Sequence, residues 1–368
     1  MGQKTGIEWT ESTWNPIRGC SRVSEGCRNC YAETVANRFK GPGEPYEGLI
    51  AKGGQWNGEV KLIEHKLDEP CRRIKPRMIF VNSMSDLFHP SVPFETIAGI
   101  FGIMAAASWH TFQVLTKRPE RMVEFFQWID QHPERKNFDT ERLQNTYPGA
   151  AWQPFLLAQA AADILPTQGE GLRVDLKGQW PLQNVWLGVS VEDQATANER
   201  IPQLLETPAA VRWISAEPLL GPMIMDQFLF RGDHSLRESD PLAAAMLAEA
   251  VSDGHGWIRP AIDWVVVGGE SGPRARPMHP DWARYLRDRC QAAEVPFLFK
   301  QWGEWAPETV CATEHGARTA LFIEQDGSTR PAAFGARGQA TTVQKNGKKQ
   351  TGRNLDGRTW DQYPEATQ

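Results

Sequence analysis

Short apolar runs recur along this chain, and polar residues or a turn with glycine or proline follow each of them. Nearly continuous apolar runs are typical of strands that are buried on both faces of a sheet. An earlier candidate strand lies at 14–18, where the pattern is weaker. The predicted strands after it are MIFVNS (78–83), FQVLTK (112–117), VWLGVS (185–190), VRWISAE (211–217), WVVVGGE (264–270) and PFLFKQ (296–301).

Segments with the period of an amphipathic helix separate these runs. The predicted helices cover 93–108, 119–132, 196–207 and 279–294. This alternation of strand and helix indicates parallel βαβ units. We therefore predict an α/β fold, a partial (β/α)6-7 TIM-like barrel, with an open doubly wound sheet as the alternative.

Two segments interrupt the alternation of strands and helices. The barrel is predicted to occupy 1–305, with insertions at about 133–182 and 226–260. The remaining residues, 306–368, are rich in glycine, threonine and lysine and are predicted to form a C-terminal extension.

Each predicted strand ends in polar residues. The carboxyl ends of barrel strands meet on one face, and the active sites of barrels lie there. We therefore expect one common active site, although strands must end somewhere and chance is the alternative. The polar strand ends are 82–86, 116–118, 190–193, 215–217, 268–271 and 300–301.

Three of the six cysteines, Cys20, Cys27 and Cys30, lie within eleven residues, directly after the first candidate strand. A structural zinc ion usually takes four ligands, and the sequence shows no second CxxC or CxxH pair at a suitable spacing. Unliganded buried thiols are a further alternative. The interpretation we favour is an iron–sulfur cluster with three thiolate ligands and one iron open to an external ligand.

Charge and composition narrow the class of function. The 368 residues are 40% hydrophobic and carry a net charge of −5, which argues against coating nucleic acid through bulk positive charge. Basic stretches at 72–77 and 348–353 indicate a local basic groove or, alternatively, a solvated face. No apolar run reaches the roughly 20 residues of a membrane span, and the start lacks the apolar segment of a secretory signal. We expect a cytoplasmic protein with no membrane partner.

Nearly the whole chain resembles a known group of proteins in a set of specific stretches. These are TWNPIRGCSRVSEGCRNCYAE, VNSMSDLFHPSVP, QVLTKRPERM, VWLGVSVEDQ, RWISAEPLLGP, DWVVVGGESGPRARPM, PFLFKQWGEW and LDGRTWD. They resemble the radical SAM superfamily, most closely its phage- and bacterium-associated three-Cys-motif proteins. The chain departs from the usual CxxxCxxC spacing because six residues separate its first two cysteines. Asn29 also stands where an aromatic residue often precedes the last cysteine, and Tyr31 follows it.

The resemblance implies two cofactors, a 4Fe-4S cluster and S-adenosylmethionine (SAM). Cys20, Cys27 and Cys30 would each bind one iron, and the amino and carboxylate groups of SAM would chelate the fourth. Reductive cleavage of SAM would give a 5′-deoxyadenosyl radical that abstracts hydrogen from a substrate. An electron donor such as a flavodoxin or ferredoxin would be a partner.

The resemblance also assigns roles to the strand ends. The end of the second barrel strand would hold the methionine amino group, that of the fourth the ribose and carboxylate, and those of the fifth and sixth the adenine. Glycines at such an end would let the backbone approach a flat ligand, with an ordinary turn as the alternative. The predicted SAM-binding residues are Asn29, Tyr31, Ser83, Ser85, Asp86, Ser190, Glu192, Glu217, Gly268 and Gly269. The residues predicted to face the substrate as catalytic groups are Lys117, Glu270 and Lys300.

The substrate class remains open among three interpretations. A nucleic acid base or nucleotide is favoured by the basic stretches and by the 15 tryptophans. A peptide or protein substrate is the runner-up. A non-catalytic iron–sulfur or zinc module with a regulatory role is the alternative from a different class of function.

Overall fold

The computed structural model describes residues 5–133, 151–165, 180–229, 262–310, 319–332 and 340–365. Its strands are β1 (Ser12–Trp14), β2 (Ile17–Arg18), β3 (Lys61–Leu62), β4 (Met78–Val81), β5 (Thr111–Thr116), β6 (Val185–Ser190), β7 (Val211–Ala216), β8 (Trp264–Gly268), β9 (Phe297–Gln301), β10 (Trp305–Pro307), β11 (Ala320–Ile323), β12 (Thr329–Pro331) and β13 (Thr341–Lys345). Its helices are α1 (Tyr31–Arg38), α2 (Phe94–Ala106), α3 (Pro119–Asp130), α4 (Gln153–Ile164), α5 (Gln194–Glu206), α6 (Asp226–Leu229), α7 (Pro280–Ala292) and α8 (Lys348–Thr351).

The strand order of the main sheet follows the order of the chain. Seven strands belong to it, in the order β1-β4-β5-β6-β7-β8-β9. A doubly wound sheet reverses its order at a switch point, and this sheet does not. The fold is therefore mixed α/β with a seven-stranded parallel sheet, compatible with a partial (β/α) barrel.

The chain divides into two compact units, Met1–Val189 with Pro202–Val211, and Ser190–Ile201 with Arg212–Ala366. In the first unit β4 pairs with β1 and β5, and β5 pairs with β6, all in parallel. In the second unit β8 pairs in parallel with β7 and β9. Strands β6, β8 and β9 are buried along their whole length, as their continuous apolar sequences predict.

The six later predicted strands and the four predicted helices are confirmed, and none of their bounds differs by more than two residues. The first strand is different from the prediction. The chain forms β1, which pairs with β4, and then β2, which pairs antiparallel with β3. Pro16 lies between β1 and β2 and has no N–H with which to continue a strand ladder.

The predicted insertions lie largely outside the described residues. The described part of 133–182 includes α4, which packs against α2. A Cβ on Gly102 of α2 would lie 2.0 Å from the Leu157 carbonyl oxygen, and one on Gly99 would lie 2.7 Å from that of Ala160. The two glycines therefore allow the helices to approach closely.

Residues after 305 form structure that the apolar pattern did not predict. Strands β10-β13-β11-β12 make a small antiparallel sheet, and several of their side chains are exposed or half-buried. Further along, Leu298 of β9 bridges antiparallel to Asp361, and the Phe299 N–H donates to the Trp360 carbonyl at 2.9 Å. The end of the chain therefore covers the edge of β9, which would otherwise present unpaired backbone groups.

No helix in the described ranges has the length and apolar character required to cross a membrane.

Candidate functional site

The three clustered cysteines lie between β2 and α1, in the first compact unit. Gly19, directly before Cys20, has a φ of 95° and bridges in parallel to Ser85. A Cβ at this position would stand 2.1 Å from the Glu59 carbonyl oxygen, so a larger residue does not fit without a backbone shift. The Gly58 N–H donates to the Cys20 carbonyl at 3.2 Å. These contacts fix the start of the cysteine loop (residues 19–30) beside the carboxyl end of β4.

The other two cysteines lie at the end of the cysteine loop. Cys27 closes a short 3-10 turn, and Cys30 is the N-cap residue of α1. The Cys30 N–H donates to the Cys27 carbonyl at 3.3 Å, and the predicted SAM-binding residue Asn29 lies half-buried between them. Cys20 and Cys30 both pack against one apolar cluster, which consists of Ala32, Ala36, Tyr46, Leu49, Trp56 and Met84. The loop therefore brings its first and last cysteines to the same apolar surface.

An ion pair holds the wide gap between the first two cysteines. Arg22 donates through Nε and Nη2 to the two carboxylate oxygens of Glu33, at 2.9 and 2.5 Å. Glu33 is buried in α1 and also accepts the Trp56 N–H at 3.2 Å. This bidentate, charge-assisted contact ties the six-residue gap to α1.

Two thiols of the loop, Cys20 and Cys30, have raised pKa values and so retain their protons. Burial raises the pKa of the Cys20 thiol to about 12, and Asp86 acts in the same direction while Arg118 opposes it. Burial also raises the pKa of Cys30, against backbone N–H groups at the start of α1. Cys27 raises the pKa of both neighbours. Because metals bind the thiolate form, metal binding here would release protons.

The cysteine loop offers three thiols, those of Cys20, Cys27 and Cys30, as possible metal ligands. Within the part of the chain that the structure describes, no group of three or more histidine, cysteine, aspartate or glutamate side chains is arranged to hold one metal ion. A structural zinc ion needs four ligands around one point. Thiolate ligands of an iron–sulfur cluster bind different irons, so their sulfurs need not converge in this way. Three thiols on one short loop are compatible with such a cluster.

Asp86, a predicted SAM ligand, is buried and paired with Arg118. Arg118 Nη1 donates to Asp86 Oδ2 at 2.8 Å, and the two side chains are 9% and 8% exposed. The Thr116 hydroxyl and the N–H groups of Phe88 and Lys117 donate to the same carboxylate. Through these contacts Asp86 holds the Arg118 side chain in place. A contact between Asp86 and SAM stays a prediction. Lys117, a predicted catalytic residue, is half-buried beside it.

Arg118 joins this ion pair to the cysteine loop. Its Nη2 donates to the carbonyl and the hydroxyl of Ser21 at 2.8 and 2.9 Å, and its Nη1 lies 3.8 Å from Cys20 Sγ. Burial lowers the pKa of Arg118, but Asp86 and Cys20 outweigh this effect and the pKa is raised. Arg118 is therefore charged. No role for Arg118 was predicted from the sequence. The one feature of the sequence that pointed to it is its place in the polar strand end 116–118.

His89 is a second residue of this site that sequence reasoning missed. Its Nε2 lies 2.9 Å from Ser21 Oγ, and the Ser91 N–H donates to its Nδ1 at 3.2 Å. Because Nδ1 accepts, Nε2 carries the proton of the neutral ring and donates to Ser21. Burial lowers the pKa of His89 to about 4, and Arg118 adds to this effect. His89 is therefore a neutral donor and not a base that activates Ser21.

The predicted residues Tyr31, Ser83 and Ser85 come together beside the cysteine loop. The Ser83 hydroxyl donates to Asn15 Oδ1 at 3.1 Å, and the Ser85 hydroxyl donates to the Ile17 carbonyl at 2.9 Å. The Tyr31 hydroxyl donates to the Ser83 carbonyl at 2.6 Å, although Tyr31 is 51% exposed. These bonds hold the end of β4 against the segment that follows β1.

Several further predicted residues surround an ion pair in the second unit. Lys300 Nζ donates to the two carboxylate oxygens of Glu217 at 2.6 and 2.7 Å. Gln301 Nε2 donates to Glu217 at 3.4 Å and to the Ser271 hydroxyl at 3.0 Å. A Cβ on Gly268 would lie 3.3 Å from the Glu217 carboxyl carbon. Gly268 therefore leaves room for the Glu217 carboxylate beside β8.

Two other predicted carboxylates of this unit are buried against arginines. Glu270 accepts from Arg276 Nη2 at 2.7 Å and Nε at 3.0 Å, and also from the Arg276 backbone N–H at 2.8 Å. Glu192 accepts from Arg200 Nη1 at 3.1 Å. These pairs account for the burial of both carboxylates. A catalytic role for Glu270 and a SAM contact for Glu192 stay predictions.

The last two predicted SAM-binding residues serve local packing. The Ser190 hydroxyl donates to the Glu217 carbonyl at 3.2 Å. The Gly269 N–H donates to the Gln301 carbonyl at 2.9 Å, and a Cβ on Gly269 would lie 2.0 Å from the Trp302 carbonyl oxygen. Close packing of two backbone segments is therefore sufficient reason for glycine at position 269.

Fold and site together define an α/β protein with a cysteine loop beside the carboxyl end of a parallel strand. Residues 4–364 match the family described as protein of unknown function (DUF5131). The match covers nearly the whole chain, and the chain belongs to this family. No curated protein and no solved structure shows a significant match to it.

Proposed function

We propose that this protein binds a 4Fe-4S cluster through Cys20, Cys27 and Cys30 and acts on SAM as a radical SAM-type enzyme. The observation that carries the proposal is the loop that holds three thiols beside the end of β4, with Cys20 and Cys30 on one apolar surface. Once bound and reduced, the cluster would supply the electron that cleaves SAM and so leads to hydrogen abstraction.

The residues around the loop have supporting roles in this proposal. The apolar cluster that includes Leu49 and Trp56 excludes water from the side on which Cys20 and Cys30 pack. The Arg22–Glu33 pair holds the wide cysteine gap against α1. These contacts constrain the course of the loop between its first and last cysteines.

We propose a nucleic acid base or nucleotide as the substrate class. Residues 72–77 carry four basic side chains, and Ile74 among them is 89% exposed. Trp109 is 40% exposed beside this segment, and its indole N–H donates to the Arg73 carbonyl at 2.6 Å. An aromatic ring held among basic side chains is the kind of surface on which bases stack and phosphates are neutralised. Because these residues precede β4 and β5, they lie at the amino ends of the two parallel strands, whereas the cysteine loop lies beside the carboxyl end of β4. The surface would therefore bind a flanking part of a polynucleotide and not the base that reacts. A peptide substrate is the competing outcome of the experiment below.

Anaerobic reconstitution with iron and sulfide tests the cluster. The wild-type chain should bind about four irons and show the brown absorbance of a 4Fe-4S cluster. Cys27→Ala should lose both. Cys71→Ala is the matched control, because Cys71 is a half-buried cysteine of the same unit outside the loop, and it should keep both. A Cys27→Ala variant that retains the cluster would refute the ligand assignment.

Addition of SAM to the reduced, loaded protein tests the enzymatic part. We expect 5′-deoxyadenosine to form, and to form faster with a single-stranded oligonucleotide than with a peptide of matched charge. Stimulation by the peptide alone would identify a peptide or protein as the substrate class in place of a nucleic acid. A fully loaded protein that forms no 5′-deoxyadenosine would identify the alternative, a non-catalytic iron–sulfur module.

A further inference from the structure

Arg118 is fixed between the protein interior and the first cysteine. Its Nη1 lies 2.8 Å from Asp86 Oδ2 and 3.8 Å from Cys20 Sγ. Its Nη2 donates to the carbonyl and hydroxyl oxygens of Ser21. Because only 9% of its side chain is exposed, the guanidinium cannot turn toward solvent without breaking these contacts.

A positively charged hydrogen-bond donor in this position would make a bound cluster easier to reduce. The reduction potential of an iron–sulfur cluster depends on its net charge, its solvent exposure and the hydrogen bonds to its sulfurs. One-electron reduction by an external low-potential donor adds one negative charge to the cluster and leaves the guanidinium unchanged. A buried cation therefore stabilises the reduced cluster more than the oxidised one, since little water screens the attraction.

We propose that Arg118 is a positioning residue that raises the reduction potential of the cluster through its contact with Cys20 Sγ. The inference rests on the proposed function, because it requires a cluster at Cys20. Asp86 opposes this effect, since its negative charge also acts on Cys20. Removal of the guanidinium charge would leave that carboxylate uncompensated and lower the potential further.

A redox titration followed by electron paramagnetic resonance (EPR) tests the inference without using enzymatic activity. The wild-type chain is compared with Arg118→Gln, which removes the charge, and with Arg118→Lys, which keeps the charge without the planar fork. Arg38→Gln is the matched control, because Arg38 is an exposed arginine in the last turn of α1. Each protein is normalised to its bound iron and sulfide.

At the wild-type midpoint potential, Arg118→Gln should show a ratio of reduced to oxidised cluster that is about tenfold lower. Arg118→Lys should lie between this value and the wild type, and Arg38→Gln should match the wild type. A loaded Arg118→Gln with the potential of Arg38→Gln would overturn the inference.

If Arg118→Gln binds no cluster, the wild type is compared with Arg118→Lys and with Ser21→Ala instead. Ser21→Ala removes one hydrogen-bond acceptor of the guanidinium without a change of charge. A lowered ratio in either supports the inference, and unchanged ratios overturn it. Failure of all three to load, with Arg38→Gln loaded, would assign Arg118 a purely structural role and also overturn it. A wild-type chain that binds no cluster contradicts the proposed function itself, and this result is seen before any variant is compared.

Discussion

Asp86 and Arg118 lie 32 positions apart in the chain and meet as a buried ion pair. A second aspartate–arginine pair, Asp68 with Arg72, lies on the surface, where the side chains are 37% and 64% exposed. Loss of one partner from a buried pair leaves a charge without compensation, whereas an exposed pair contributes little to stability. The two pairs therefore provide a matched comparison within one unit of the protein.

Asp86→Ala should lower the free energy of unfolding by about 3–5 kcal/mol, because the Arg118 guanidinium would remain buried without its carboxylate. Asp68→Ala should lower it by about 0.5 kcal/mol or less. Denaturant unfolding of the cluster-free protein measures both values. Equal effects of the two substitutions would show that the Asp86 carboxylate is not needed to hold Arg118.

The stability of the protein should depend on pH through His89, which faces Arg118, Arg121 and Asp86. Burial and Arg118 lower its pKa in the folded chain to about 4, from an ordinary value of 6.5, against the influence of Asp86. Between these two values the unfolded chain binds a proton at His89 that the folded chain does not bind. The free energy of unfolding should therefore fall as the pH is lowered from 6.5 toward 4, by at most about 1.4 kcal/mol per pH unit.

Denaturant unfolding at a series of pH values measures this dependence. His89→Gln keeps a neutral side-chain donor toward Ser21 and should lose this contribution. Its stability should therefore fall less steeply than that of the wild type below pH 6.5. Parallel profiles of the two proteins would contradict the assignment of the effect to His89.

The close approach of the start of the cysteine loop to the backbone before β3 depends on Gly19. Its φ of 95° is strained for other residues, and a Cβ there would also collide with the Glu59 carbonyl. Gly43 has a φ of 75°, and a Cβ there would have no atom within 4 Å. A substitution of Gly43 therefore measures the conformational strain alone, without the collision that occurs at Gly19.

Gly43→Ala should lower the free energy of unfolding by about 1 kcal/mol, which is the cost of the left-handed backbone conformation. Gly19→Ala should lower it by roughly 3 kcal/mol, because the backbone must also shift. Thermal unfolding measures stability, and the iron bound after reconstitution measures whether the cysteine loop still binds a cluster. A Gly19→Ala chain as stable as Gly43→Ala, with full iron, would contradict the requirement for close approach.

The main strands could be predicted from the sequence because they are buried on both faces and nearly continuously apolar, as in β6 and β8. The small sheet after β9 could not, because its strands are short and two of them are hardly buried: β12 has no buried position, and β13 has one among its five. The prediction of one strand at 14–18 was wrong in its limits, since Pro16 divides it into β1 and β2.

The contacts of the candidate site could be predicted only in part. The spacing of the cysteines indicated the loop, and the polar strand ends indicated Asp86. Arg118 could not be assigned to Cys20, because 98 positions separate them and no local pattern connects them. The same holds for His89 and Ser21, which meet across 68 positions.

The whole molecule combines a parallel sheet in chain order with a second, antiparallel sheet and a final segment that pairs with β9. The family match extends over all of these parts, from residue 4 to residue 364. The proposed activity therefore belongs to the full chain, and its test uses the full chain.

The EPR spectrum of the reduced, reconstituted full chain, recorded with and without SAM, shows whether the cluster has an open iron that binds SAM. A cluster with three thiolate ligands leaves one iron open, so SAM should change the g values of the reduced cluster. The sample should then accumulate 5′-deoxyadenosine, while Cys27→Ala should give neither result and Cys71→Ala should give both. An unchanged spectrum and no 5′-deoxyadenosine from a fully loaded wild-type chain would show that the protein is not a radical SAM-type enzyme.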